Sequence, residues 1–121
     1  SEMCIRDRRR HPRLTAVVAH AGSPEYGAFL DLAERHERVH LDTTMVFTDF
    51  TERAAPFPEG ELPRLRALGD RVLLGTDYPN IPYPYLHQLR ALTRLGLGRD
   101  WLRAVLHDNG ARLFDLPPAR M

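Results

Sequence analysis

Lysine is absent from this chain of 121 residues; all seventeen basic residues are arginine. Isoleucine occurs only at Ile5 and Ile81, and asparagine only at Asn80 and Asn109. Lys, Ile and Asn are encoded by AT-rich codons, so their scarcity points to GC-rich source DNA rather than to a demand for arginine ion pairs. The single cysteine, Cys4, excludes an internal disulfide framework. Serine occurs only at Ser1 and Ser23, and there is no G-x-S-x-G stretch, no P-loop, no paired C-x-x-C and no Rossmann glycine fingerprint. No apolar run approaches the ~18 residues of a membrane span. The charged N-terminus lacks an apolar secretory segment, and a cytoplasmic location is expected. The net charge of +1 predicts attraction neither to nucleic acid nor to a membrane surface.

What is present is the composition of a folded domain, 43% apolar and 27% charged. The length allows one domain or part of a larger one. Ser1-Glu2-Met3-Cys4-Ile5-Arg6-Asp7 breaks the codon bias. Read back, it fits TCG GAG ATG TGT ATA AGA GAC AG, which resembles a transposase adaptor used in sequencing libraries, and Arg8 is compatible with the final AG. Residues 1–8 are therefore expected to be non-native and to lack a packed structure. The native part is then 9–121, the C-terminal piece of a longer protein. The basic cluster from Arg6 to Arg13 loses its meaning as a nucleic-acid arm, since half of it is adaptor.

Along the rest of the chain the hydrophobic period alternates. Leu14–Ala19 is apolar and β-branched, and reads as a buried strand. Ser23 is expected to cap a helix running to about Arg38, with Pro24 and Glu25 in its first turn. At Val39 the period changes to two, giving a second strand. Residues 47–60 read as a long loop. Glu61–Leu68 is a short helix, Val72–Leu74 a third strand, Tyr83–Leu95 a long helix, and Arg99–Leu106 and Ala111–Leu116 two closing helices. The order β-α-β-α-β-α predicts an α/β fold with a parallel sheet.

In such folds ligands bind at the C-terminal ends of the strands. That rule selects His20, after the first strand, and Asp77, after the third. A carboxylate there can ligate a metal or take a proton from water, and an imidazole can polarise a carbonyl or shuttle a proton. Taken singly, His20 also fits a satisfied histidine beside a glycine turn, and Asp77 a turn former. The second strand ends near Asp42-Thr43-Thr44; Thr43 and Thr44 can bond a substrate, but Asp and Thr at a strand end more often bond loop backbone. Arg53 can pair with a substrate carboxylate, although a solvated arginine is the default.

His36-Glu37-Arg38-Val39-His40 matches H-E-x-x-H, the zinc-protease pattern. That chemistry needs both imidazoles on one face of an unbroken helix. The change of period at Val39 predicts a break, so the match is read as a decoy.

Four stretches, taken in order, resemble the C-terminal part of the amidohydrolase-related family. They are Val17-Val18-Ala19-His20-Ala21-Gly22, His40-Leu41-Asp42-Thr43-Thr44, Val72-Leu73-Leu74-Gly75-Thr76-Asp77-Tyr78-Pro79 and Val105-Leu106-His107-Asp108-Asn109-Gly110-Ala111-Arg112-Leu113-Phe114. The resemblance implies strands six to eight of a (β/α)8 TIM barrel. It implies that His20 faces a metal site and that Asp77 binds the metal or acts as base on its water. The family's H-x-H pair and fifth-strand histidine would lie upstream of residue 9, so this chain alone should not hold the catalytic ion. For the intact protein it implies a divalent metal ion, zinc being expected, and a small-molecule substrate. Metal-activated water would attack an amide, ester or lactone. Metal-dependent decarboxylation is the alternative within the family. A self-contained, non-enzymatic α/β binding module is the alternative outside it; that reading predicts covered sheet edges, whereas the fragment reading predicts an open first-strand edge.

Overall fold

Three short strands join into one parallel sheet, and the amphipathic stretches between them return the chain to the start of the next strand. The structure, a computed structural model, describes residues 2–117. Helix α1 (Glu2–Arg10) precedes strand β1 (Ala16–Val18), and a 3-10 turn at Ala19–Gly22 leads to α2 (Tyr26–Arg35). Strand β2 (Val39–Asp42) is followed by the short α3 (Asp49–Glu52) and by α4 (Leu62–Ala67). Strand β3 (Val72–Leu73) leads to α5 (Tyr85–Arg94). Then α6 (Arg99–Arg103) passes through a π-helical turn at Ala104–Asp108 into α7 (Asn109–Leu113). Among the described residues no helix is long and apolar enough to cross a membrane.

The strands run parallel in the order β1-β2-β3. Ala16 pairs with Val39 and Val18 with Leu41; Leu41 pairs in turn with Val72, and Asp42 with Leu73. Because side chains alternate along a strand, one register fixes two faces. Val39, Leu41 and Val72 are buried with Leu30 and Ala33 of α2, Leu65 of α4 and Leu92 of α5. Each such Val or Leu side chain contributes roughly 1.5–3 kcal/mol by leaving water. His40 and Asp42 alternate onto the other face and stay half-buried. On that face Val17, Asp42, Leu73, Val105, His107 and Phe114 line a groove.

The two sheet edges differ. Along β3 the closing helices cap the backbone: Leu74 N donates to the Val105 carbonyl at 3.1 Å, and Asn109 Nδ2 donates to the carbonyls of Gly69 at 2.6 Å and Val72 at 2.8 Å. On the other side β1 is an edge strand with Val17 45% exposed. The loop after β2 is pinned from outside. Tyr26 donates to the Ala55 carbonyl at 2.7 Å, and the Phe57 ring lies 4.8 Å from that of Tyr26 and 5.1 Å from that of Phe47.

Several local expectations need correction. Glu2–Arg10 is helical, a local regularity that the expectation of unpacked residues at 1–8 did not include. The arginines of its last turn complement the helix C-terminus, and Arg8 folds back to donate to the His11 carbonyl at 3.0 Å. Ile5 is exposed and outside the sheet; the side chain of Met3 lies outside the described residues. Ser23 does not cap a helix: its N–H donates to His20, and α2 begins three residues later at Tyr26. Strand β1 is shorter than the apolar run, because pairing with β2 begins only at Ala16, opposite Val39. The two closing helices are one winding segment, continuous through the π-helical turn.

Candidate functional site

The carboxyl ends of the strands carry a hydrogen-bonded lattice centred on Asp42. Its Oδ1 accepts from the His20 N–H and from the Thr44 N–H, each at 3.0 Å. The Thr44 carbonyl lies 2.8 Å from His20 Nδ1. A carbonyl oxygen can only accept, so Nδ1 carries a proton and donates it here. The neutral ring is then the Nδ1–H tautomer, and Nε2 keeps its lone pair.

The backbone at this point is unusual. His20 has φ 56°, Ala21 φ 50° and Gly22 φ 80°, a run in the left-handed region. Each non-glycine residue there costs about 1–2 kcal/mol, which the bonds to Asp42 and Thr44 help to offset. At Gly22 a side chain is also excluded by space, since a Cβ would meet the Phe29 ring at 2.1 Å.

Strand β3 enters the same lattice through Gly75. Its N–H donates to Thr43 Oγ1 at 3.2 Å. A Cβ on Gly75 would stand 2.0 Å from Thr44 Oγ1 and 3.0 Å from Asp42 Cγ. Glycine therefore lets the third strand end come close to the second. Two residues on, Asp77 has φ 56° and an exposed side chain, and its carbonyl accepts from Asn80 N at 2.7 Å. Strand β2 lies between the strands that lead to His20 and Asp77, so their axes are about 10 Å apart.

Helix α5 supports the lattice from below. Gln88 is buried, and its Nε2 donates to the carbonyls of Thr43 at 2.8 Å and Val46 at 3.2 Å. Tyr83 donates to Gln88 Oε1 at 3.2 Å. Burial pushes the Tyr83 hydroxyl above the usual phenol range; hydrogen bonding with Thr48 opposes this, and the negative charge of Asp77 adds to it.

The other sequence candidates have structural places. Thr43 is fully buried and serves the backbone of Gly75, while Thr44 lends its own backbone to the lattice. Arg53 is exposed at the end of α3. The H-E-x-x-H match is broken as expected: His36 ends α2 in an extended conformation, and His40 stands in β2. His40 Nδ1 is buried without a hydrogen-bond partner. Burial lowers its pKa, the charges of Arg71 and Arg112 lower it further, and Asp70 opposes them. Among the described residues no three His, Cys, Asp or Glu side chains gather as a metal-binding group. His20 and Asp77 offer one nitrogen and one carboxylate, which falls short of a metal site on their own.

Sequence reasoning did not identify Gln88 or Tyr83 as parts of this site, and it read Asp42 only as a strand-end residue that bonds loop backbone, as it does here. The available signal was the two-residue period of β2, which puts Asp42 on the face of His40. The bonds from Asp42 to residue 20 depend on strand register and could not be read from spacing.

The amidohydrolase family model matches residues 8–116. An uncharacterized TIM-barrel protein from Bordetella bronchiseptica has a similar structure, with a TM-score of 0.76 and 24% identity, over 94% of this chain and 38% of that one. The three βα units therefore have the architecture of part of a TIM barrel, and the chain spans 38% of the length of that relative. No curated protein matches the chain.

Proposed function

This chain belongs to the amidohydrolase family, and on that premise we propose that it supplies the sixth to eighth βα units of a metal-dependent barrel hydrolase. His20 and Asp77 are its contributions to the reacting centre, and the substrate is a small molecule with an amide, ester or lactone carbonyl. The observation that most supports this reading is the hydrogen bond from His20 Nδ1 to the Thr44 carbonyl, which leaves Nε2 for chemistry at a strand end.

A divalent ion, zinc by preference, supplies a Lewis acid and acidified water when bound. Asp77 would be one of its ligands; the others would come from strands outside 9–121. The Asp77 carboxylate accepts a proton from the attacking water. Neutral His20 can take a proton at Nε2. To stabilise oxyanion charge it must be the imidazolium, with Nε2–H donating while Nδ1–H stays on Thr44.

The test uses a barrel completed with its upstream strands and a panel of amides, esters and lactones. Asp77→Asn keeps the shape and removes the charge. The expected result is hydrolysis by the wild type and a loss of roughly 100-fold or more in the variant. Unchanged turnover and metal content would reduce Asp77 to a turn residue. Release of carbon dioxide in place of hydrolysis would assign decarboxylation instead.

A further inference from the structure

We propose that Asp42 is a positioning residue that fixes the tautomer of His20. The inference rests on His20 being a site residue, but its test does not depend on catalysis. One carboxylate oxygen accepts from the N–H of residue 20 and from the N–H of residue 44, each at 3.0 Å. The two amides belong to the ends of neighbouring strands. Holding the first sets the left-handed turn at His20, from which the ring projects. Holding the second anchors the backbone at the start of Thr44, whose carbonyl, in the next peptide unit, meets Nδ1 at 2.8 Å. Asp42 bonds the two backbones, and the ring nitrogen bonds Thr44. Asp42 acts through two backbones on which nitrogen keeps the proton, and so on which nitrogen meets a ligand.

Gly75 belongs to the same device. Its missing side chain leaves the room that Thr44 Oγ1 and the Asp42 carboxylate occupy. In free histidine the Nε2–H form predominates, so the lattice holds His20 in the tautomer that is otherwise the minor one.

The experiment is a long-range proton–nitrogen NMR spectrum of the chain with labelled histidine, at about two pH units above the ordinary histidine pKa so that the rings are neutral. The His20 cross-peaks are assigned by comparison with His20→Gln. In the wild type His20 is expected as Nδ1–H. Asp42→Asn keeps an accepting oxygen and should retain that tautomer. Asp42→Ala removes the acceptor and should reverse it to Nε2–H. If Asp42→Ala does not fold, Asp42→Ser, whose side chain is too short to bridge both amides, replaces it with the same expected reversal. An Nε2–H wild type, or an Nδ1–H pattern that survives in whichever of Ala or Ser folds, overturns the proposal; so does unfolding of both, which would make Asp42 a residue of stability alone. A hydrolase reading that fails on its substrates leaves these spectra unchanged, so the two failures are distinguishable.

Discussion

The imidazole of His20 and the carbonyl of Thr44, at the ends of adjacent parallel strands, are joined by a 2.8 Å hydrogen bond that commits Nδ1 as donor. The turn of β1, the turn of β2 and the close approach of β3 all converge on this bond. Perturbations that spare the apolar core should therefore still be felt here.

Gly75→Ala tests the close approach. The new Cβ would fall 2.0 Å from Thr44 Oγ1, and overpacking of this kind costs about 1–3 kcal/mol. Urea denaturation should show an unfolding free energy lower by that amount, with the midpoint moved to lower urea. Gly110→Ala is the matched control, since a Cβ there meets nothing within 4 Å and helix propensity favours alanine by roughly 0.5–1 kcal/mol. Equal effects at the two glycines would contradict the account of Gly75.

Asn109→Ala tests the cap on the β3 edge. The variant leaves the carbonyls of Gly69 and Val72 without their side-chain donor, a loss of about 1–3 kcal/mol. Amide exchange should accelerate along residues 104–113 more than along β1 and β2. Uniform acceleration would show that the closing helices do not behave as a separable unit.

Much of this arrangement was legible in the sequence. The apolar, β-branched run at 14–19, the two-residue period at 39–44 and the apolar run at 72–74 marked three strands, because burial on one or both sheet faces imposes these patterns whatever the partner. The period change at Val39 marked the break inside the H-E-x-x-H match, and the strand-end rule selected His20 and Asp77. The rest depended on register. Ser23 has the composition of a helix cap, but three left-handed residues before it turn its N–H toward His20. Asp42 shows in the sequence only as a strand-end residue that bonds loop backbone, its partner at residue 20 appearing once β1 and β2 are aligned, and Gln88 carries no signal until α5 is docked.

The pH dependence of stability should report on His40. Its folded pKa lies below the ordinary 6.5, chiefly through burial. The unfolded state therefore binds the proton more readily, and the contribution of the neutral ring is complete above 6.5 and lost as the pH falls through the folded value. The ring is half-buried, so the effect is below about 1 kcal/mol. Between about pH 7 and 5, the wild type should lose more stability than His40→Gln in denaturant titrations. Parallel curves would show that His40 is protonated equally in both states.

The central claim is that His20 and Asp77 serve one reacting centre. Its most direct test is a double-mutant cycle on turnover in the completed barrel, with His20→Ala, Asp77→Asn and the pair. Residues that act as a unit are strongly non-additive. The account predicts that each single variant loses roughly 100-fold or more, and that the double variant loses little beyond the worse single one. Single variants that keep wild-type turnover, or losses that simply multiply, would contradict it.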